Sequence, residues 1–388
     1  MSAGRGPSMV SRVTSGRRIL FSAAGGHGHL QPLLPLAEQA LRAGHEVLVT
    51  AAASLAGQAT ARVLAFAASG PDLRPIAAPL AVHAVEDERR AVARYFVARL
   101  GAARARDVLD VCRSWRPDVV VRDEVDFGAA VAAEAAGLPH VQVVVIGAGG
   151  FILPELVDDP LNVLLAEFGV EPLGAGVLQR HLTLTPFPAF FRDPAHPLTG
   201  TTLRYHVPPP PKVHRTAAGK TVFVTLGTIF NTESGDLLRT AALGAAGCHD
   251  VKVVVVATGE HVDPAALGPL PSHVTAHRFV DQDAVLAASD AVISHGGSGT
   301  VLGALKQALP SVTLPMGADQ QLNSDRLRAL GLGVSMAADA ATAQEIRDAL
   351  HGVLTDTPMA QRLDGLREEL LDAVGPGQAV AAAAALAR

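Results

Sequence analysis

Short apolar runs alternate along this chain with longer segments in which apolar residues recur every three to four positions. The run RRILFSA, a glycine-rich turn, the segment LQPLLPLAEQALRAGH and the run EVLVTA form the first such unit. Continuous apolar runs predict buried strands, and the wider spacing predicts amphipathic helices. A repeated strand–helix–strand order is typical of parallel sheets covered by helices on both faces.

Four consecutive prolines interrupt this alternation between Tyr205 and Lys220. Proline can neither donate to a strand ladder nor continue a helix, so the segment favours an extended spacer. We predict an α/β protein with two Rossmann-like, doubly wound parallel-sheet domains, 18–207 and 220–388, joined by a linker at 208–219 and preceded by a disordered leader at 1–17. The carboxyl ends of both sheets should face one cleft, where such folds bind ligands.

The composition narrows the class of protein. The chain has 388 residues, of which 49% are hydrophobic and 18% charged, and its net charge of -5 argues against a nucleic-acid partner. Cys112 and Cys248 lie far apart and in no metal-ligand spacing, which favours a reduced compartment. The least polar stretch, Leu138 to Pro154, is too interrupted for a membrane span. We expect a cytoplasmic protein without a membrane partner.

A glycine-rich turn, HGGSGT at His295–Thr300, follows an apolar run and precedes a helical pattern. The main-chain N–H groups and dipole of a helix N-terminus favour a bound anion, and glycines let a phosphate approach closely. No Lys-Ser/Thr pair follows, so this is not a nucleoside-triphosphate loop with its magnesium ligand. A diphosphate held without a metal fits better, and a turn that binds nothing is the alternative.

With this turn, the segment from Asp290 to Gly331 resembles the family 1 glycosyltransferases of GT-B fold, especially those that modify bacterial antibiotics and polyketides. The resemblance extends over nearly the whole chain after the leader. It implies an inverting hexosyltransferase that uses a dTDP- or UDP-sugar as co-substrate and needs no metal or other cofactor. The implied acceptor is a hydroxyl group of a small, lipophilic aglycone.

The resemblance assigns the donor site to the second half. The family has an Asp-Gln pair that holds sugar hydroxyls, and it corresponds here to Asp319 and Gln320. A helix cap is the alternative for this pair. Thr225 also matches the loop near the diphosphate. The residues that would hold the diphosphate and the sugar are Thr228, His295, Gly297, Ser298, Gly299, Thr300, Asp319 and Gln320.

The segment RFVDQDAVL resembles the part of the family that binds the nucleobase. In this resemblance Phe279 would stack on the base and Val280 would bond to its edge through the main chain, with Gln282 also at the donor. Phe279 and Asp281 stand where the family has tryptophan and proline. Packing in the core is the alternative for Phe279.

An earlier glycine-rich turn, Gly25–His29, carries two histidines. It is not a dinucleotide fingerprint, because its third glycine position holds glutamine and no ribose-binding acid follows the second strand. In the resembled family the histidine of Gly-His-x-x-Pro is the general base, which corresponds here to His29, and histidine has a suitable pKa. The family's orienting carboxylate corresponds to Asp123, with Glu124 and Asp126 as alternatives.

The first half should then hold the acceptor. Phe96 and Phe151 lie in apolar segments at 79–100 and 147–176, which favours a flat apolar aglycone, and core packing is the alternative. Two other functions stay open: a nucleotide-sugar epimerase of the same fold, and a catalytically silent nucleotide-sugar-binding partner. The sequence does not decide the sugar, the aglycone or the oligomeric state, a homodimer included.

Overall fold

The first half of the computed structural model is built on a seven-stranded sheet in which all strands are parallel. Along the chain they are β1 (Arg18–Ser22), β2 (Glu46–Ala51), β3 (Ala65–Ala68), β4 (Val119–Asp123), β5 (His140–Val143), β6 (Leu182–Thr185) and β7 (Thr202–Arg204). Their order across the sheet is β3-β2-β1-β4-β5-β6-β7. The chain therefore starts near the middle and extends the sheet on both sides, as a doubly wound domain does.

The second half is built on a six-stranded sheet, again with all strands parallel. The strands are β8 (Lys220–Thr225), β9 (Val251–Ala257), β10 (Val274–His277), β11 (Ala291–Ser294), β12 (Ser311–Thr313) and β13 (Gly333–Ser335). Their order is β10-β9-β8-β11-β12-β13. The predicted class of two doubly wound parallel sheets is confirmed.

Helices cover both faces of the two sheets. Around the first sheet lie α1 (His27–Leu30), α2 (Leu34–Arg42), α3 (Ala56–Thr60), α4 (Val85–Ala91), a π-helical segment (Val92–Gly101), α5 (Ala102–Trp115), α6 (Phe127–Ala135) and α7 (Pro154–Glu167). The later helices are α8 (Leu237–Ala246), α9 (Gln282–Ala287), α10 (Ser298–Lys306), α11 (Gln320–Ala329), α12 (Ala343–Thr355), α13 (Thr357–Leu371) and α14 (Pro376–Ala384).

The central strands are apolar throughout because both of their faces are covered. Ile19 and Phe21 of β1 pack in one cluster with α2, whereas Leu20 packs on the other face with α5 and α6. Successive side chains of a strand point to opposite faces, so a strand covered on both sides needs apolar residues at every position. This is why the runs read as continuous rather than alternating.

The last helix, α14, crosses back to the first half. It packs on α2, and three of its residues, Ala379, Val380 and Ala383, join the buried cluster around β1. Just before it, Val374 forms a parallel bridge with Tyr205. The domain limits stay a prediction, and the chain after Val374 contributes to the core of the first half although it follows the second sheet.

The structure describes residues 16–72, 82–213, 219–228, 234–259 and 262–387. The leader prediction therefore lies almost wholly outside the described residues, as do part of the linker and the start of the first acceptor segment. Among the described helices, none has both the length and the apolar composition that crossing a membrane requires.

Gly128 in α6 and Gly352 in α12 offer a matched test of helix packing. A Cβ at Gly128 would lie 2.6 Å from the Gly101 carbonyl oxygen and 2.7 Å from Arg104 Cβ, so Gly128→Ala must move α5 and α6 apart. We expect this to lower the free energy of unfolding by about 1–3 kcal/mol. Among the described residues, no atom outside the adjoining backbone of α12 lies within 4 Å of a Cβ at Gly352. Gly352→Ala should raise that free energy by about 0.5–1 kcal/mol, and equal effects of both variants in chemical denaturation would contradict the packing account.

Candidate active site

A cavity of about 330 Å³ lies between the carboxyl ends of the two sheets. One wall comes from α1 and the loop after β5, and the other from the turns after β8 and β11 and the start of α11. The structure brings most of the predicted site residues together in the lining of this cavity, namely His29, Thr228, Gln282, His295, Gly297, Ser298, Gly299, Thr300, Asp319 and Gln320. The roles of these residues stay predictions.

The His29 imidazole contacts the Asp123 carboxylate beneath it. Asp123 is the last residue of β4 and His29 lies on α1 just after β1, and these two strands are neighbours in the sheet. Nδ1 of His29 lies 3.4 Å from Oδ1 of Asp123, which is longer than a typical N–H···O bond. The Asp123 side chain is fully buried, whereas the His29 side chain is 24% exposed. The imidazole therefore lies between the buried Asp123 carboxylate and the open cavity.

Main-chain N–H groups hold the Asp123 carboxylate in place. Ala24 donates to Oδ2 at 2.6 Å and Val125 donates to Oδ1 at 2.8 Å. The turn before α1 also requires a glycine, because Gly25 has a φ of 108° and a Cβ there would lie 2.6 Å from His29 Cδ2. The glycine-rich turn thus provides the space in which the His29 ring lies.

Opposing effects act on the pKa of His29. Burial lowers the pKa, but the adjacent Asp123 carboxylate, followed by the charges of Asp319 and Glu124, outweighs burial and raises the pKa above its ordinary value. Asp319 belongs to the second half of the chain. The electrostatic environment of His29 is therefore made by both domains.

The two alternative carboxylates have other partners. Asp126 forms a fully buried ion pair with Arg104, with Nη2 2.7 Å from Oδ2, and also caps α6 by accepting from Ala129. Glu124 accepts the main-chain N–H groups of Val145 and Ile146. Burial raises the pKa of Glu124 to about 7. Of these three carboxylates, Asp123 is the one that contacts His29 in the ion pairs of the described residues.

The second glycine-rich turn presents the N-terminus of α10 to the cavity. The helix begins at Ser298, and its N-cap residue Gly297 provides no capping side chain. The first N–H groups of a helix have no partner within it, so an anion can bind them. The Ser298 hydroxyl is already engaged, because it donates to Asp319 Oδ2 at 2.6 Å and accepts from Gly147 at 2.8 Å. This leaves the main chain rather than that hydroxyl for a ligand.

His295 lies against two glycines at the base of this turn. A Cβ at Gly227, whose φ is 79°, would lie 2.6 Å from the ring Nε2, and a Cβ at Gly297 would collide with the same atom. Burial lowers the pKa of His295 to about 4, although the Thr225 main chain opposes this. The imidazole is therefore neutral near pH 7, and it can donate one hydrogen bond without carrying a charge.

A buried network joins the Asp-Gln pair to the first half. Asn323 donates to Asp319 Oδ2 at 2.8 Å and to Ser298 Oγ at 2.9 Å, and its Oδ1 accepts the N–H of Ala148 at 3.0 Å. Burial raises the pKa of Asp319, with its hydrogen bonds acting in the opposite direction. The oxygen of Gln320 accepts from Met316 at 2.8 Å. Asp319 makes no side-chain cap bond with α11.

The two residues predicted to hold the nucleobase, Phe279 and Val280, are not among the described residues that line this cavity, whereas Gln282 of the same segment is. Phe279 is 58% exposed, and Val280 packs at the edge of the cluster around Phe223. Asp281, where the family has proline, caps α9 by accepting from Ala284 at 3.1 Å. Phe279 is thus not a core residue, which leaves its ring face available for stacking.

The two predicted acceptor residues pack elsewhere in the first half. Phe96 on the π-helical segment and Phe151 both belong to the cluster around Phe127 and Leu161. Phe151 also lines a cavity of about 70 Å³ beside Glu124. Neither phenylalanine is among the described residues that line the candidate active site, so their acceptor role stays a prediction.

Sequence reasoning missed the loop after β5 as part of the site. Val145 and Ile146 line the cavity, and their N–H groups are held by Glu124. The run HVQVVVI reads as one strand, but β5 ends at Val143, so the pattern gives no signal for this wall. Asn323 was also missed, although it stands one helical turn after Asp319.

Within the described part of the chain, one group has the side chains for a metal site: Glu134, His140 and His181. It lies at the opposite edge of the first sheet, since His140 is the first residue of β5. Glu134 contacts both His140, at 3.2 Å, and Arg180. This group does not belong to the candidate active site.

Comparison with known proteins finds relatives along nearly the whole chain. A family model described as Erythromycin biosynthesis protein CIII-like, C-terminal domain, matches residues 240–386. The chain is 27% identical to the 3-alpha-mycarosylerythronolide B desosaminyl transferase of Saccharopolyspora erythraea. This alignment spans 410 residues and covers 94% of this chain and 96% of that protein. It is 30% identical over 297 residues to the aclacinomycin-T 2-deoxy-L-fucose transferase of Streptomyces galilaeus, covering 71% and 67% of the two chains.

The similarity in fold to solved structures also extends over nearly the whole chain. A solved spinosyn rhamnosyltransferase complexed with thymidine diphosphate matches 94% of this chain and 99% of its own, with a TM-score of 0.77 at 24% identity. Since 30% identity extends over about two thirds of two chains and the fold is shared throughout, the chain belongs to the antibiotic glycosyltransferases of GT-B fold and is itself a glycosyltransferase.

Proposed function

We propose that this glycosyltransferase moves a sugar from a dTDP- or UDP-sugar to a hydroxyl of a small lipophilic natural product, with inversion of configuration at the anomeric carbon. The observation that carries this proposal is the position of the His29–Asp123 pair, which faces the N-terminus of α10 across one cavity. A base and an anion site on opposite walls suit a single displacement. Similarity to a structure complexed with thymidine diphosphate supports a nucleoside-diphosphate donor.

His29 acts as the general base in this mechanism. Its neutral imidazole accepts the proton of the acceptor hydroxyl while that oxygen forms a bond to the anomeric carbon. The Asp123 carboxylate favours the imidazolium that results, because it is buried beside Nδ1. Asp123 keeps its own negative charge throughout.

The second half stabilises the leaving group. As the bond between the anomeric carbon and the diphosphate oxygen breaks, negative charge grows on the nucleoside diphosphate. The N-terminus of α10 and the neutral His295 provide fixed dipoles and an N–H donor for that charge. We propose that these groups replace a metal ion and that no cofactor takes part.

Two other functions predict different behaviour. An epimerase would not need a base facing an acceptor, and a silent binding partner would not need the buried Asp123 beside His29. The retained contact at 3.4 Å therefore supports transfer over both alternatives. The loop after β5 contributes the apolar residues Val145 and Ile146 to the same cavity as His29, which supports a lipophilic acceptor.

Replacing His29 by alanine should remove the base while leaving His295 and the N-terminus of α10 unchanged. With an aliphatic alcohol as acceptor, we expect kcat to fall by about 10²–10⁴-fold and donor affinity to stay nearly unchanged. An acidic phenol should lose less, because it ionises without help. His27→Ala, in the same turn, is the matched control and should keep most of the rate. A near-natural rate for His29→Ala with the aliphatic alcohol would exclude this base.

The raised pKa of His29 determines the pH profile. The base works only when neutral, so kcat should be full above the raised pKa and fall as the pH drops through it. Asp123→Asn removes the charge that raises the pKa while burial remains, so the midpoint should move to lower pH. The profile of kcat against pH measures this shift, and an unchanged or higher midpoint would contradict it.

Glu124 needs a control because its pKa of about 7 would give a midpoint of its own in the profile near neutral pH. Glu124→Gln keeps an oxygen that can accept from Val145 and Ile146 but cannot titrate. The midpoint should stay close to that of the natural enzyme. If it disappears instead, the profile reports Glu124 and not His29.

His295→Ala should weaken donor binding and slow the chemical step. We expect thymidine diphosphate to bind about tenfold more weakly and kcat to fall by about 10²-fold, since the lost N–H donor serves the charge that grows in the transition state. Calorimetry and steady-state kinetics measure the two effects. His249→Ala, whose side chain is 96% exposed, is the control. Unchanged affinity together with an unchanged rate would refute the role of His295.

A further inference from the structure

A second and larger cavity, of about 660 Å³, lies outside the candidate active site. Its walls come from the segment between β6 and β7 and from α11, and it shares no lining residue with the active-site cavity. Three arginines line it, Arg192, Arg204 and Arg326, and we call it the arginine cavity. Its volume is in the range of about 300–1,000 Å³ that small-molecule sites have.

Each guanidinium group donates to a main-chain carbonyl oxygen, and the charges of Glu124 and Asp193 also act on Arg192. Arg192 donates to the carbonyl oxygen of His196 at 2.7 Å, Arg204 to that of Glu369 at 2.9 Å and Arg326 to that of Phe190 at 2.5 Å. Main-chain carbonyls orient the arginines but do not neutralise them. One acidic residue, Asp193, lies in the same lining, and its carboxylate accepts from Ala195 at 2.9 Å. With three arginines and one carboxylate in its lining, the arginine cavity has an excess of positive charge.

Arg326 also has an unused donor. Its Nε is buried and has no hydrogen-bond partner. Buried donors of charged groups are nearly always bonded, because leaving them unpaired is costly. Arg326 is fixed at one end by Phe190 and lies on α11, the helix that follows Asp319.

The rest of the wall is apolar. Phe187, Phe190 and Leu198 line the cavity together with several prolines. Phe187 is almost fully buried and stacks on Phe191, with 6.1 Å between the ring centroids. A flat apolar body can pack on such a wall while its charged group reaches the arginines.

We propose that the arginine cavity binds a small organic anion with a ring-sized apolar body. Its carboxylate, sulfonate or phosphate oxygens would accept from Arg192, Arg204 and Arg326, since planar guanidinium groups match oxyanions in geometry and charge. This site goes beyond the proposed transfer reaction. Arg326 comes from the second half of the chain and the other two from the first, so the bound anion bridges the domains.

One loop separates the two cavities, so their occupancy must be tested separately. Val144 and Gly147 line the arginine cavity, whereas Val145 and Ile146 between them line the candidate active site. A probe of the arginine cavity should therefore bind in the presence of saturating thymidine diphosphate. Displacement of the probe by that nucleotide would place it in the active site and overturn the proposal.

The probe is 8-anilinonaphthalene-1-sulfonate, an anion with two aromatic rings, titrated into the full chain by fluorescence. N-phenyl-1-naphthylamine has the same rings without the sulfonate and should bind at least tenfold more weakly. Arg326→Met removes one charge and should weaken sulfonate binding about tenfold. Arg328→Met is its matched control, because Arg328 lies on the same helix, is 68% exposed and pairs with Asp325.

Ala189→Trp tests the volume without changing any charge. Ala189 is an exposed residue in the lining, so a tryptophan can fill the cavity from its rim while the melting temperature stays close to that of the natural chain. Sulfonate binding should then fall by at least tenfold. Equal effects of Arg326→Met and Arg328→Met, or full binding to Ala189→Trp, would overturn the proposal.

Discussion

The contact between the His29 imidazole and the buried Asp123 carboxylate is the interaction on which the account of this enzyme depends. It exists because β1 and β4 are adjacent and parallel, so that the turn after one strand meets the last residue of the other. Two main-chain N–H groups fix the carboxylate, and Gly25 provides room for the ring. Neither turn could shift without separating the charge from the imidazole.

A second constraint is a set of hydrogen bonds that holds the two domains together beside the cavity. Ser298 Oγ accepts the N–H of Gly147, and Asn323 Oδ1 accepts the N–H of Ala148. The Asn323 amide also donates to Ser298 Oγ, so the two side chains of the second half are linked to each other. These polar side chains, Ser298 and Asn323, thereby fix the two domains to each other. The anion is left to the α10 main chain and to His295, which burial keeps neutral.

The sequence predicted the features that depend on local pattern. Both parallel sheets follow from apolar runs that alternate with helical spacing. His29 and Asp123 were found through the resemblance, because a glycine-rich turn and the end of a predicted strand match the family's motifs. Contacts between distant segments could not be predicted in this way. Glu124 accepts from Val145 and Ile146, α14 returns to the core of the first half, and Ser298 bonds to Asp319. These contacts join residues that are far apart in the sequence, and no periodic pattern of apolar residues indicates them.

A double-mutant cycle on kcat tests the central claim most directly, with His29→Ala, Asp123→Asn and the two changes combined, all assayed with one aliphatic alcohol. If the carboxylate acts through the imidazole, the double variant should be little slower than His29→Ala alone, because Asp123 has nothing left to act on. If the two losses multiply instead, Asp123 affects the reaction independently of His29, and the account of a coupled pair is wrong.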